Sequence, residues 1–128
     1  MYQENFNQQA EVLDQMKSLA AISVAIKVQP DHEALQLLAN LSADVAWGNR
    51  QAAARKLGYM KCHEAVPALV EALPDDPFWM VRCDIIQALE KIGDPLAIPV
   101  LRQVSKNDGF QVVRAYATKA IERLYEKV

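Results

Sequence analysis

Two histidine–glutamate pairs come closest to a metal-binding pattern in this sequence. The pairs occupy residues 32–33 and 63–64, so they lie 31 residues apart. Imidazole and carboxylate groups both bind transition metals, and Cys62 directly before the second pair adds a thiolate. Ligands in one short run are too local to surround an ion, because a metal site needs groups that converge on it from several directions. We therefore interpret both pairs as polar residues at helix starts and predict no metal site.

Cysteine chemistry is the next option, since the chain contains Cys62 and Cys83. No His/Asn constellation that would activate either thiol can be inferred from the sequence, and cysteine is commonly a small buried residue. Glycine-rich phosphate loops, nucleophile-elbow motifs and paired-carboxylate motifs do not occur. We assign no catalytic residue and no cofactor, and favour a non-catalytic role while leaving catalysis open. Two cysteines give no disulfide framework, which indicates a reducing compartment and a cytoplasmic location.

The most regular ionisable residues form a series with a period of 32. Its members are Asp44, Asp76, Asp108, Arg50, Arg82 and Arg114. Each aspartate precedes a predicted helix start, where a carboxylate caps free N–H groups and meets the positive end of the helix dipole. Each arginine recurs at the same height in successive units, which places it to pair with the aspartate of a neighbouring unit. We interpret the series as a structural ladder, with anion binding by the arginine row as the alternative.

Apolar residues share this period and show which elements carry the series. Leu57, Leu89 and Ile121 each follow an arginine of the series by seven residues. A period near 32 with apolar spacings of three, four and seven is typical of stacked helical hairpins, so the sequence predicts an all-α chain. The seven predicted helices lie near residues 4–28, 32–42, 47–60, 65–73, 78–92, 96–105 and 110–127.

Leu19–Val28, in the first predicted helix, is apolar nearly all round. The run has ten residues, whereas a membrane-spanning helix needs about 20, so we predict no membrane span. A terminal helix of a solenoid should show one polar face to water, so this segment needs cover on two sides. Either the tail from Tyr2 to Phe6 folds over it, or it forms a homodimer interface.

One stretch carries the full pattern of a known repeat. It has an Asp…Val-Arg start, an Ala-Leu close, an Ile-Gly-Asp-Pro turn and an Ala-x-Pro-x-Leu restart. These features lie at Asp76, Val81, Arg82, Ala88, Leu89, Ile92–Pro95, Ala97, Pro99 and Leu101. From about Asp44 to Leu124 the chain resembles the HEAT-like repeats of the phycobilisome-lyase type. The resemblance implies an α-solenoid of about three and a half HEAT-like hairpins in a right-handed superhelical stack.

The repeat period divides a single domain, residues 1–128, into units. Residues 1–43 are a degenerate first repeat, 44–75 and 76–107 are two full repeats, and 108–128 is a capping helix. The last helix has one apolar stripe and a charged opposite side, as expected of a cap.

Known members of this repeat family include binding scaffolds, bilin lyase subunits and a di-iron hydroxylase. The hydroxylase builds its iron site from His-Glu pairs that follow the Val-Arg of the first helix, where this chain has Cys83-Asp84. The resemblance therefore does not extend to the iron site. Because one fold serves many functions, it implies a bilin lyase or chromophore-handling subunit only as an alternative.

Aromatic residues are the clearest departure from the family pattern. The turn before the Val-Arg usually carries polar residues, but here it reads Phe78, Trp79 and Met80. Trp47 occupies the position of Trp79 one unit earlier, and Phe110 that of Phe78 one unit later. Large apolar side chains on one edge of the stack indicate either anchors for a partner or packing between repeats.

The second helix of each hairpin lines the concave face in such repeats. The candidate partner-binding positions there are Glu64, Ala68, Glu71, Val100 and Gln103. This stripe changes from polar to apolar, which suits a protein or peptide better than a phosphate backbone. An ordinary solvated surface is the alternative.

Overall charge and the interaction surfaces together favour a binding function. The formal net charge is −2, so no basic excess indicates a nucleic-acid partner. The sequence favours a small adaptor or scaffold that binds a protein or peptide through its concave face and its aromatic edge, with the lyase function as the alternative.

Overall fold

The computed structural model describes residues 46–126 and, upstream of them, Glu33, Ala34, Gln36, Leu37 and Leu41. These five upstream residues are helical, and two of them lie in the buried core. Several expectations fall outside the described residues. They concern the first helix, the Leu19–Val28 homodimer interface, His32 and Asp44.

Five helices with defined bounds follow one another in the described residues, and no strand occurs there. They are α1 (Trp47–Tyr59), α2 (Val66–Asp75), α3 (Trp79–Ile92), α4 (Ile98–Asn107) and α5 (Gln111–Glu126). The predicted all-α class is confirmed for this part of the chain. The predicted count of seven is not matched, because the two remaining predicted helices involve residues outside the described ranges.

Turn chemistry explains where the helices of the central hairpin end and begin. Gly93 follows α3 with φ 81°, a left-handed conformation that glycine adopts without strain, and its N–H donates to the carbonyl of Leu89. The side chain of Asp94 then accepts the N–H of Leu96 at 3.0 Å and starts the 3-10 turn Pro95–Ala97. This turn leads directly into α4.

The helices pack in two layers around one core. The first helices of the hairpins form one layer, in which α1 packs on α3 and α3 packs on α5. In the other layer α2 contacts α3 and α4, and α4 packs on α5. The largest fully buried side chains include Leu57, Leu69, Ile85, Leu89 and Leu101. This stacking brings the amino-terminal ends of α1, α3 and α5 to one edge of the molecule.

Candidate interaction surface

Two buried ion pairs connect successive repeats beneath this edge. Arg50 donates from Nε to Oδ2 of Asp76 at 2.7 Å and from Nη2 to Oδ1 at 3.2 Å. Arg82 repeats the geometry with Asp108, at 2.7 Å and 3.0 Å. Each arginine therefore binds the aspartate that lies 26 residues further along the chain, in a two-pronged geometry that suits a planar guanidinium.

Each aspartate of these pairs also stabilises the turn before the next helix. Oδ1 of Asp76 accepts the N–H of Phe78 at 3.0 Å, and Oδ1 of Asp108 accepts that of Phe110 at 2.9 Å. Arg82 additionally donates from Nη1 to the backbone carbonyl of Asp76 at 2.7 Å. All three nitrogens of Arg82 thus have protein acceptors, which favours a structural role for the arginine over anion binding.

The environment of Asp108 lowers the pKa of its carboxyl group. Burial alone would raise this pKa, but hydrogen bonds from Arg82 and from the N–H of Phe110 act in the opposite direction. The positive charges of Arg82 and Arg114 lower it further, so the net direction is downward.

The lowered pKa predicts how Asp108 contributes to stability as the pH changes. Its contribution is present above the unfolded pKa of about 3.9 and is lost as the pH falls through the lower folded value. We expect Asp108→Asn to be less stable than the wild type at neutral pH, with a difference that shrinks below about pH 4. Urea unfolding of both proteins at about pH 7, 5 and 3 measures this. A difference that stays constant to about pH 3 would contradict the assignment.

The aromatic edge, which we define as Trp47, Phe78, Trp79 and Phe110, lies directly above the ion pairs. The ring centroids of Trp47 and Phe78 are 6.1 Å apart in a tilted arrangement, and those of Trp79 and Phe110 are 6.0 Å apart and stacked. The guanidinium carbons of the two buried arginines lie 5.8 Å and 5.7 Å from the Phe78 and Phe110 rings. Each pair bridges two repeats, yet the four side chains remain 37–47% exposed.

This arrangement combines the two interpretations of the aromatic residues. The rings do pack between repeats, which explains part of their spacing in the sequence. They also leave large apolar side chains 37–47% exposed to solvent at one edge, and exposed clusters of such side chains often mark interaction sites. Met80, which the sequence also suggested as a partner-binding residue, is partly buried and follows Trp79 at the start of α3.

The predicted concave stripe is only partly available to a partner. Glu71 and Gln103 are exposed, and Glu64 is partly buried with the Cys62 thiol 3.8 Å from its Oε1. Ala68 packs against the core. The prediction that Val100 lies on the surface is wrong. Val100 is only 7% exposed and belongs to the core, whereas its neighbour Pro99 is exposed. One residue on a helix corresponds to a rotation of about 100°, enough to turn a side chain from the surface inward.

Among the residues that the structure describes, the other chemical candidates do not converge into a reactive site. No group of three or more His, Cys, Asp or Glu side chains in the described part of the chain could hold a metal ion. His63 is exposed, with Nδ1 3.9 Å from a carboxylate oxygen of Asp94. Both cysteines are free thiols and buried.

Burial raises the pKa of the Cys83 thiol to about 11, and the nearby carboxylates of Asp84 and Asp108 add to the effect. Since the thiolate is the reactive form, we expect iodoacetamide to alkylate Cys83 at about pH 8 at least about a hundredfold more slowly in the folded protein than in urea. A Cys62→Ala variant isolates the reaction of Cys83. Equal rates in both states would show that the thiol is accessible and ionised.

Sequence reasoning missed a buried carboxylate and a close contact between helices. Asp84 is 6% exposed; its Oδ1 lies 3.3 Å from Nε of Arg55, and its Oδ2 has no hydrogen-bond partner among the described residues. A Cβ atom added to Gly58 in α1 would lie 2.8 Å from Cα of Ala88 in α3. The signal for Gly58 was its position inside an otherwise regular helix, where glycine is unfavourable without a packing reason.

None of the helices in the described residues is both long enough and apolar enough to cross a membrane. A protein-family model of HEAT repeats matches residues 34–122. No curated protein matches the chain.

Proposed function

The chain belongs to the HEAT repeat family, and from this premise we propose that it is a non-catalytic interaction module that binds a protein or peptide partner. HEAT repeats commonly mediate protein–protein interaction, which is consistent with a small adaptor or scaffold. The aromatic edge is the observation that carries the proposal for this chain. Its four large side chains pack in pairs and remain substantially exposed.

The physical argument rests on how such an edge gains binding energy. Aromatic side chains dominate interface energetics, because they bury a large apolar area with few rotatable bonds. Here the pairing between repeats and the buried ion pairs beneath fix the rings before a partner arrives. Little further order is lost on binding, so more of the interaction energy contributes to affinity.

Replacing Trp79 by alanine tests the proposal. Trp79 is already 37% exposed, so we expect the substitution to lower the free energy of unfolding by about 1–2 kcal/mol. Replacing a fully buried tryptophan by alanine would cost about 3–5 kcal/mol. We expect at least about tenfold weaker partner binding. Proteins captured from host extract by the full chain are compared quantitatively between the wild type and the variant.

Tyr59→Ala is the matched control for this experiment. Tyr59 is 72% exposed and ends α1, whereas Trp47 begins it, so about 18 Å of helix separates Tyr59 from the aromatic edge. The control should retain the captured proteins that Trp79→Ala loses. Identical capture by all three proteins, together with a large loss of stability in Trp79→Ala, would reduce the edge to core packing.

The finer features form part of the same proposal. We propose that the exposed concave residues Glu71 and Gln103 extend the contact, that the partner is protein rather than nucleic acid, and that the module works in the cytoplasm. The net charge of −2 and the two free thiols support the last two points. The right-handed stack, the repeat bounds and the Leu19–Val28 homodimer stay predictions, as does the bilin-lyase alternative, which no described feature favours.

A further inference from the structure

The third arginine of the structural ladder, Arg114, has no carboxylate partner among the described residues, unlike the first two. It follows the start of α5 by the same number of residues as Arg82 follows the start of α3. Nη1 of Arg82 donates to the backbone carbonyl of Asp76. Nη1 of Arg114 donates in the same way to that of Asp108. Nε and Nη2 bind a carboxylate in Arg82, but in Arg114 they have no acceptor within the described part of the chain.

The two unused nitrogens of Arg114 form a binding site whose geometry is already set. The guanidinium group is planar, so the bond from Nη1 also restricts where Nε and Nη2 can point. Their two N–H groups match the two oxygens of a carboxylate. Arg114 is partly buried, and a group that is held in place before binding loses little further freedom.

The first two arginines show which segment such a site accepts. Arg50 binds Asp76, and Arg82 binds Asp108. In both cases a phenylalanine follows the aspartate by two residues, and the guanidinium carbon lies 5.8 Å or 5.7 Å from its ring centroid. Oδ1 of the aspartate also accepts the N–H of that phenylalanine. One Asp-x-Phe segment therefore supplies the carboxylate, the ring and the hydrogen bond that shapes its own turn.

The source of a segment for Arg114 is a different protein rather than this chain. The sequence contains two Asp-x-Phe segments, residues 76–78 and 108–110. Both are already bound, to Arg50 and Arg82, and a second copy offers only the same two engaged segments. A small anion could fill the guanidinium site but would bring no ring to pack against it.

The start of α5 indicates which part of the segment matters most. Gln111 begins α5 at the position where Trp79 begins α3. Trp79 stacks on the ring of Phe110, so a ring bound beside Arg114 would have no indole to stack on. The carboxylate should therefore contribute more to binding than the ring does.

We infer that Arg114 binds an Asp-x-Phe segment of a protein partner in the way that Arg82 binds residues 108–110. This inference rests on the proposed interaction function and adds a second contact site, because α5 begins at the same edge of the molecule as α1 and α3. The carboxylate of the segment bridges Nε and Nη2 of Arg114. The ring of the segment lies against the guanidinium group.

Proton–nitrogen correlation spectra of the full chain test the inference through the Nε–H signal of Arg114, which is assigned by its absence from Arg114→Lys. The probe is an acetylated peptide that copies residues 107–113, the segment that Arg82 binds. We expect this signal to shift on titration. Asparagine in place of the peptide's aspartate should weaken binding at least about fivefold, and alanine in place of its phenylalanine should weaken it less.

Two protein variants locate the site. Arg114→Lys keeps the positive charge but loses the two-pronged geometry, and we expect at least about threefold weaker binding of the peptide. Arg102→Lys makes the same change at an exposed arginine of α4 and should bind the peptide like the wild type.

Three results would overturn the inference: equal binding of the aspartate and asparagine peptides, equal binding by Arg114→Lys and the wild type, or an equal shift with inorganic phosphate at the same concentration. If Trp79→Ala still loses captured proteins in such a case, the interaction function stands without this ligand. If Trp79→Ala loses none, both proposals fail.

Discussion

Arg82→Ala is expected to lower the free energy of unfolding by about 3 kcal/mol. The substitution removes the two-pronged bond to Asp108 and the bond to the backbone carbonyl of Asp76. It also leaves the Asp108 carboxylate without its main partner in a position where its side chain is only 7% exposed. Breaking a buried pair from one side costs about 3–5 kcal/mol, because the remaining charge loses its compensation. The partial solvent access of Asp108 and its bond from the Phe110 N–H place the expected value at the lower end.

Arg114→Ala provides the internal comparison, with urea unfolding as the measurement. Arg114 stands one repeat later and donates to the backbone carbonyl of Asp108 at 2.5 Å, with no two-pronged carboxylate partner among the described residues. We expect it to cost about 1 kcal/mol, as for an ordinary hydrogen bond. Equal losses at Arg82 and Arg114 would show that the bonds between repeats add little. Unchanged stability of Arg82→Ala would favour the anion-binding interpretation of the arginine row.

The ladder shows what a repeat sequence can and cannot predict. The period of 32 placed Arg50 and Arg82 at equivalent positions, and the contact that Arg50 makes with Asp76 recurs between Arg82 and Asp108. That regularity also placed Trp47 and Trp79 on a common edge. Whether the rings were buried or exposed depends on how closely successive helices approach, and this distance is not encoded in the spacing of residues along the chain.

The sequence also does not predict how far each helix is rotated about its own axis. Val100 and Asp84 illustrate this. On α4 the predicted surface positions included Val100, which lies in the core, although Gln103 on the same helix is exposed. In α3 every residue from Val81 to Ile86 is buried, and two of these six residues, Arg82 and Asp84, are charged. Hydrophobic periodicity assumes that a helix has one apolar and one polar face. A helix packed between two neighbours in its own layer and a third in the other layer does not obey this assumption.

Gly58→Ala is expected to destabilise the protein by about 2 kcal/mol, although alanine favours a helix over glycine by about 1 kcal/mol. The added Cβ would lie 2.8 Å from Cα and 3.1 Å from Cβ of Ala88. Because the nearest atom belongs to the backbone of α3, no side-chain rotation relieves the contact and the two helices must separate. Overpacking of this kind typically costs about 1–3 kcal/mol.

Gly48→Ala is the matched control, since Gly48 lies in the first turn of the same helix and a Cβ there meets no atom within 4 Å. It should stabilise the protein by about 0.5 kcal/mol through helix propensity and the reduced freedom of the unfolded chain. Urea unfolding should therefore move the two variants in opposite directions. If Gly58→Ala is instead as stable as Gly48→Ala, α1 and α3 can separate at little cost. The spacing of Trp47 and Trp79 would then be adjustable rather than fixed by the core, and the aromatic edge would not be organised before it binds.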